Sequence, residues 1–409
     1  MRLLLVTAEP CPTFRADVVG LFGKYLPRFG IYSDVVTTRA PDCEGPIVWG
    51  GGAARVCNSS IRSPIKHLQK FLHCAKHFVA ARRDVYQAVQ VRDMPYLALF
   101  CLIVTRTKGL PFFYWMSYPI PEGQMVRARG RAGVGSPKSW LLWWRGCIGK
   151  FLLYQLVLPS ADHIFVQSEK MKCDLTGIGL TPERITPVPM GVDLAAIHSL
   201  ELAPSDDERL RGRHALVYLG TLDAPRRIEI LFDMLARARR KHPQALLVLI
   251  GDTQHKDHLT WLRSKAQEAG VEEHVLWTGW LPMREAWRYV LAGRVGLSPF
   301  PRGFLLDSAS PTKVTEYLSL GVPVVCNDNP DQKIAIEASG AGLCVPYAAE
   351  NFAEAVVTLL NENDADRARR VCAGRKYVST NRDYEVIARK VANVYMTLCP
   401  ASTGKGLTK

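Results

Sequence analysis

Short apolar runs recur along the chain, most of them separated by segments whose apolar positions return at helical spacing. Residues 2–7, R-L-L-L-V-T, read as a first strand, residues 18–29 as an amphipathic helix closed by Gly30, and residues 33–38 as the next strand. Strand, helix and strand in that order predict parallel pairing, because the helix carries the chain back over the sheet. The alternation continues with a helix over 66–81, a strand over 85–91, a helix over 96–104 too short to span a bilayer, and strands over 110–116 and 161–167. Ser168 then caps a helix. Trp49 with Gly50, Gly51 and Gly52 reads as a turn, since no helix follows at the spacing a phosphate loop needs. Residues 185–193 run extended, and polar residues 203–213 read as a linker. Beyond them the pattern restarts, with strands over 215–219, 246–250, 275–278, 295–299 and 322–326 and helices over 228–239, 259–268, 285–292 and 312–320. The expected architecture is α/β: two doubly wound domains with a cleft between them. A chain of 409 residues is also too long for one core.

Residues 306–329, L-D-S-A-S-P-T-K-V-T-E-Y-L-S-L-G-V-P-V-V-C-N-D-N, hold the strongest local signal. Ser310 suits an N-cap and Pro311 the first helical position, while Gly321 and Pro323 stop the helix. Such a helix start presents unpaired N–H groups and a partial positive charge, which together can hold a phosphate. Lys313 adds charge there, and Glu316 lies one turn further in, placed for sugar or ribose hydroxyls. The same residues would equally serve an ordinary capped helix with both charges in water.

Composition narrows the setting. Hydrophobic residues make up 48% and charged residues 22%, which describes a soluble globular protein. The 11 cysteines form no C-x-x-C and are odd in number, so free thiols in a reducing compartment are expected. The N-terminus reads as a first strand, not a signal peptide. The net charge of +14 is uneven: residues 1–200 carry 24 Lys and Arg against 13 Asp and Glu, the remainder 28 against 25. A basic half suggests nucleic acid, anionic lipid or a phosphorylated substrate, or else no more than a basic surface. Residues 123–161 contain no acid, but do contain Arg127, Arg129, Arg131, Lys138, Arg145 and Lys150. Their first part, 127–138, reads as a mobile basic loop. The second is dense in Trp140, Leu141, Leu142, Trp143, Trp144, Ile148, Phe151, Leu152 and Tyr154. Bases beside Trp and Leu suit the headgroup region of an anionic membrane surface, contacted through 127–158. The alternative is a core helix with two snorkelling bases. No nucleic-acid module surrounds the stretch, so no nucleic acid is expected as partner. His73 and His77 have zinc-pair spacing but no accompanying carboxylate motif, and a solvated helix face accounts for them.

Over most of its length, and most strongly from residue 161 to 346, the chain resembles the retaining glycosyltransferases of family 4, the group 1 enzymes. The resemblance rests on V-P-M-G-V-D, Y-L-G-T-L-D, V-L-I-G-D, W-T-G-W-L-P, S-P-T-K-V-T-E-Y-L-S-L-G-V-P-V-V and S-G-A-G-L-C-V-P, in that order. It implies the GT-B fold, with two Rossmann-like domains: an acceptor domain over 1–195 and a nucleotide-sugar domain over 196–383. It also implies that the last helix, 384–398, packs back on the first domain, for which Val386, Ile387, Val391, Val394, Tyr395 and Leu398 have the right spacing. Residues 399–409 read as a flexible tail.

In such enzymes the helix start now at Pro311 holds the donor diphosphate, and the carboxylate matching Glu316 binds the ribose. Trp280 and Leu281 match the loop near the base, and Arg226 matches a diphosphate-binding lysine. Three departures stand out. Thr221 replaces an arginine, so Arg227 or Lys313 must supply the charge. Ser308 replaces a sugar-binding glutamate, leaving Asp307 or backbone N–H groups from 308 to 310, with Thr312 and Ser310 completing the donor set. Ser117 replaces a histidine on the acceptor side, where Arg92 also lies at a strand end.

The catalytic residues implied are therefore Arg226, Lys313 and Asp307. Fixed cations and N–H groups can stabilise the departing diphosphate. There is no Asp-x-Asp in a strand-end loop, Asp364-Ala365-Asp366 reading as a helix connection; no metal and no cofactor are expected. The resemblance implies a nucleotide-sugar donor, a saccharide or lipid-linked saccharide acceptor, and a cytoplasmic place at the inner face of the cell membrane. Two other readings compete: an inactive scaffold that has kept the nucleotide site, and a sugar-nucleotide epimerase.

Overall fold

The structure, a computed structural model, describes residues 1–13, 15–41, 43–58, 66–130 and 136–400. Arg131 and nearly all of the expected tail lie outside the described residues. The chain forms two compact units, one of Met1–Pro189 with the chain from Tyr384 onward, the other of Met190–Asp383.

The first unit is built on seven parallel strands: β1 (Arg2–Thr7), β2 (Tyr32–Thr38), β3 (Ala54–Cys57), β4 (Ala88–Arg92), β5 (Phe112–Met116), β6 (His163–Val166) and β7 (Ile185–Pro187), in the order β3-β2-β1-β4-β5-β6-β7. The order reverses between β1 and β4. Side chains alternate across the sheet, so one strand feeds two cores. Leu3 and Leu5 of β1 join Phe22, Trp115 and Phe165 on one face, whereas Leu4 and Val6 join Phe78, Leu97 and Tyr114 on the other. Burying each such Leu contributes about 1.5–3 kcal/mol.

The second unit repeats the plan with six parallel strands: β8 (His214–Leu219), β9 (Ala245–Ile250), β10 (Val275–Gly279), β11 (Val295–Ser298), β12 (Val324–Asn327) and β13 (Gly342–Val345), in the order β10-β9-β8-β11-β12-β13. Its reversal lies between β8 and β11. Ligands of doubly wound sheets sit at the carboxyl ends of the strands that flank such a reversal.

The Tyr384–Leu398 helix packs on the first sheet. Ile387, Val391 and Tyr395 are buried beside Phe113 and Phe165, and the Tyr395 hydroxyl donates to Gln90 Oε1 at 2.6 Å.

Several expectations need correction. The segment expected as a helix over 18–29 is wound as a π-helix over Asp17–Tyr25 and a 3-10 turn over Leu26–Phe29. Arg127 and Arg129 lie not in a loop but at the end of the Ile120–Gly130 helix. The 203–213 stretch is no free linker. Asp206 pairs with Arg288 at 3.0 Å and Asp207 accepts the Tyr289 hydroxyl at 2.8 Å, which fastens it to the Met283–Leu291 helix. Asp364 and Asp366 begin the Asp364–Asn381 helix, capped by the Asn363 side chain. β3, β13 and the helices Pro330–Ser339 and Ala349–Leu360 had no predicted counterpart. Among the described residues, no helix is long and apolar enough to cross a membrane.

Candidate active site

The carboxyl ends of β8 and β11 bring together Arg226, Lys313, Glu316 and Thr312. Two glycines make the approach possible. Gly220, just past β8, has φ +138°, and a Cβ there would lie 2.8 Å from Lys313 Cε. Gly251, at the end of β9, has φ +135°, and its Cβ would strike Gly220 O at 2.2 Å. The two glycines of Y-L-G-T and V-L-I-G-D therefore let two strand ends and a lysine share one space.

The Thr312–Leu320 helix supplies the rest. It is held by Tyr317, whose hydroxyl accepts the Leu219 N–H at 2.7 Å and donates to Leu297 O at 3.3 Å, so β8 and β11 fix the same side chain. The N-cap is Pro311, not Ser310, and no side chain caps the first turn. The N–H groups of Thr312, Lys313 and Val314 thus have no acceptor within the helix, at its positive end.

Lys313 is only 8% exposed, with its ammonium 4.6 Å from the centre of the Tyr218 ring. Burial, reinforced by Arg226 and partly offset by Glu316, brings its pKa down to about 7. Arg226 lies over the Phe300 ring at 5.3 Å. Phe300 is itself clamped by Asn327, which accepts its N–H at 2.7 Å and donates to its carbonyl at 2.9 Å. The Glu316 carboxyl is raised by burial, against which Lys313 and the Thr312 hydroxyl pull. The cluster is two facing cations, a carboxylate and a row of N–H groups.

Other expected donor residues are spent elsewhere. Ser310 is not a cap because its hydroxyl accepts the Met190 N–H at 2.9 Å and donates to Asp331 at 2.7 Å, and Asp331 in turn pairs with buried Arg382 at 2.8 Å. Asp307 is not a free carboxylate: Arg302 grips both its oxygens, at 2.8 and 3.2 Å, while also pairing with Asp328 at 2.6 Å. The Ser308 hydroxyl donates to Phe304 O at 3.0 Å. Arg227, left-handed at φ +48°, turns its side chain to Glu229 at 3.7 Å, and its carbonyl accepts the Tyr347 hydroxyl at 2.6 Å. Lys313, and not Arg227, therefore lies with Arg226 in this cluster. The Thr221 carbonyl accepts the Tyr218 hydroxyl at 3.1 Å. Trp280, just past β10, is 58% exposed, and Leu281 packs at the edge of the core. A cavity of about 790 Å³ lined by His198, Ser319, Arg367 and Arg375 opens beside the far end of the same helix, away from this cluster.

In the first unit, the equivalent sheet edge holds a second polar network. Arg92 is not an open contact: it is 1% exposed, pairs with Asp17 at 2.6 Å and sits against Trp115 at 6.0 Å. Burial opposes ionisation of Asp17, but Arg92 and Arg15 outweigh it and hold its carboxyl low. Ser117 donates both its N–H, at 2.8 Å, and its hydroxyl to Asp93, a residue at φ +56° whose carboxyl burial pushes up. Arg15, paired with Glu9 at 3.5 Å and Asp17 at 3.2 Å, is the more accessible cation of this rim. Sequence reasoning missed Arg15, Asp17, Asp93, Arg302, Asp331 and Arg382. The adjacency of Asp93 to Arg92 at a strand end was the one available signal.

Two parallel doubly wound units, one with a phosphate-ready helix start at its strand reversal, define the GT-B class of protein. Two family descriptions cover most of the chain: glycosyl transferase 4-like domain over residues 16–191 and glycosyl transferases group 1 over residues 213–362. The chain belongs to the group 1 glycosyltransferases, of the family 4 type. It is 29% identical over 189 residues to a GDP-mannose-dependent phosphatidylinositol monomannoside mannosyltransferase of Mycobacterium tuberculosis, a match over 45% of this chain and 48% of that one. A glycogen synthase of the same organism is 25% identical over 244 residues, 59% of this chain and 55% of its own. The chain thus spans about half the length of the curated relatives it matches. Among solved structures, Anabaena HepE in complex with UDP superposes with TM-score 0.67 at 14% identity, covering 97% of this chain and 100% of that one. Sucrose-phosphate synthase of Thermosynechococcus elongatus gives 0.69 at 16%, over 97% and 99%. These two likenesses establish the fold.

Proposed function

We propose that the chain is a hexosyltransferase that moves a sugar from a nucleotide-sugar donor to a saccharide or lipid-linked saccharide, with retention of configuration and without a metal, in cell-envelope or exopolysaccharide biosynthesis on the cytoplasmic side of the membrane. The observation that carries this reading is the pair Arg226 and Lys313 at an uncapped helix start, where burial and the nearby Arg226 charge hold the Lys313 pKa down. A diphosphate is the ligand that relieves their repulsion and occupies the free N–H groups.

As the bond between the anomeric carbon and the diphosphate oxygen breaks, its electron pair leaves with the diphosphate. Arg226, Lys313 and the N–H groups of the first turn stabilise the second negative charge as it forms. The acceptor hydroxyl bonds to the anomeric carbon on the same face, and its proton passes to the departing phosphate oxygen. Glu316, oriented by Thr312, holds the ribose hydroxyls, with the base toward Trp280 and Leu281. Asp307 acts through Arg302 to shape the loop that follows β11, and the sugar is met by the backbone N–H of Ser310, those of Ser308 and Ala309 being donated to the Leu306 carbonyl. The first unit is the acceptor-binding unit, with Arg15 and Glu9 as the polar groups at its strand ends. The mannosyltransferase and glycogen synthase relatives and the UDP complex of a structural neighbour support the donor class.

The occupied state of Asp307 favours a second reading, a scaffold that binds nucleotide without turnover. Thermal-shift screening against UDP-, GDP- and ADP-sugars, beside Glu316→Ala, tests both. A shift lost in the variant, with glycosylated product, is the outcome expected. A shift without product on any saccharide or lipid-linked acceptor selects the scaffold, and no shift with any donor rejects the site.

A further inference from the structure

The Pro137–Phe151 helix is amphipathic the wrong way round. Its inward side consists of Ser139, Gly146 and Gly149, all buried. A Cβ at Gly146 would lie 2.6 Å from Met125 Cγ and 2.9 Å from Pro121 O, so the glycine is what lets the Ile120–Gly130 helix come so close. The large side chains point the other way: Trp140, Leu141, Trp144, Ile148 and Phe151 are 64%, 66%, 44%, 49% and 60% exposed. At 3.6 residues per turn these five fall within an arc of about 100°. Lys138 and Arg145 flank the arc on one side and Lys150 on the other, each exposed. The carboxylate that meets this helix, Glu122, is buried and already faces Lys150 at 3.5 Å.

A soluble protein seldom leaves so continuous an apolar stripe in water. A second copy of the chain would bring like bases together with no acid on the face to answer them. An anionic bilayer satisfies both halves of the pattern: the indoles and aliphatic side chains enter the level just below the headgroups, and the bases meet phosphates. We infer that this face is a membrane-docking surface on which the helix lies flat, its Trp140–Trp144–Phe151 edge sunk into the outer acyl region of a bilayer rich in anionic phospholipid. The inference rests on the glycosyltransferase reading only for its purpose, which is to hold the enzyme where a lipid-linked acceptor is presented.

The test is co-sedimentation of the full chain with vesicles of phosphatidylcholine alone and with phosphatidylglycerol added, some carrying brominated acyl chains. Wild type is expected to bind the anionic vesicles at least tenfold more tightly than the neutral ones, with bromine quenching its tryptophan emission. Trp140→Ser/Trp144→Ser/Phe151→Ser, which removes only exposed side chains, is expected to lose at least tenfold in binding while keeping the wild-type melting temperature and nucleotide-sugar shift. Lys138→Ala/Arg145→Ala is expected to lose the preference for anionic lipid. Equal vesicle binding by the triple variant overturns the inference, as does a wild-type dimer in sedimentation equilibrium that the triple variant abolishes. Binding of RNA in place of vesicles overturns it too. Failure of every donor to shift melting, with vesicle binding intact, would instead count against the glycosyltransferase reading alone.

Discussion

Lys313→Met isolates the part of the donor site that the unliganded fold resists. The lysine falls from its ordinary 10.5 to about 7. At about 1.36 kcal/mol per unit, keeping the ammonium charged in the empty site costs on the order of 5 kcal/mol relative to the unfolded chain. Because the folded pKa lies below the unfolded one, that penalty is complete below pH 7 and fades as pH rises toward 10.5. The empty Lys313→Met protein should therefore melt higher than wild type at pH 6, with the difference closing at higher pH. Binding inverts the sign. A bound diphosphate returns the countercharge and draws the pKa back up, so wild-type affinity for a nucleotide-sugar should fall about tenfold between pH 6 and pH 8. Calorimetry in buffers of different ionisation enthalpy should register about one proton taken up per donor bound at pH 8. In Lys313→Met, binding should be weaker and flat with pH. A flat wild-type profile, or an equal slope in the variant, would refute the argument.

Three further outcomes follow from the geometry. Gly220→Ala places a Cβ on Lys313 at a backbone angle that favours glycine, so stability should drop by about 1–3 kcal/mol in urea titration and donor affinity should fall with it; an unchanged protein would mean the loop relaxes freely. Arg382→Met strands the buried Asp331 carboxylate and should cost about 3–5 kcal/mol by chemical denaturation, with Asp331→Asn/Arg382→Met recovering much of the loss; no rescue would show that the pair is not the cause. Asp307→Asn should cost less than about 1 kcal/mol and leave turnover within an order of magnitude, whereas a thousandfold loss of kcat would return Asp307 to the catalytic group.

How far the sequence reached can be judged from particular residues. Lys313, Glu316 and Arg226 were legible because a helix start, a glycine stop and a strand end are local signals that fix position along one chain. Their mutual approach also follows from short-range chemistry, since Gly220 and Gly251 leave room at the strand ends. The burial that lowers Lys313 was not legible. It depends on Tyr218 of β8 lying under the ammonium and on Arg226 being held over Phe300 just past β11, and these come together only when β8 pairs with β11.

By itself the sequence determined the α/β alternation, the second unit's first five strands and, through ordered motifs, the family and the return of the last helix, because periodicity, caps and motifs are written along the chain. Only the tertiary structure decided which polar side chains are free. Asp307 is taken by Arg302, Ser310 by Met190 and Asp331, and Arg92 by Asp17, the last partner 75 residues away. The same holds for the Pro137–Phe151 helix, whose composition fits a core or a membrane equally. Which face it buries was set by Gly146 meeting the neighbouring helix, a contact that no helical period can announce. Spacing fixes where a side chain stands along its own element, but occupancy of a charge or an apolar face depends on what the fold brings against it.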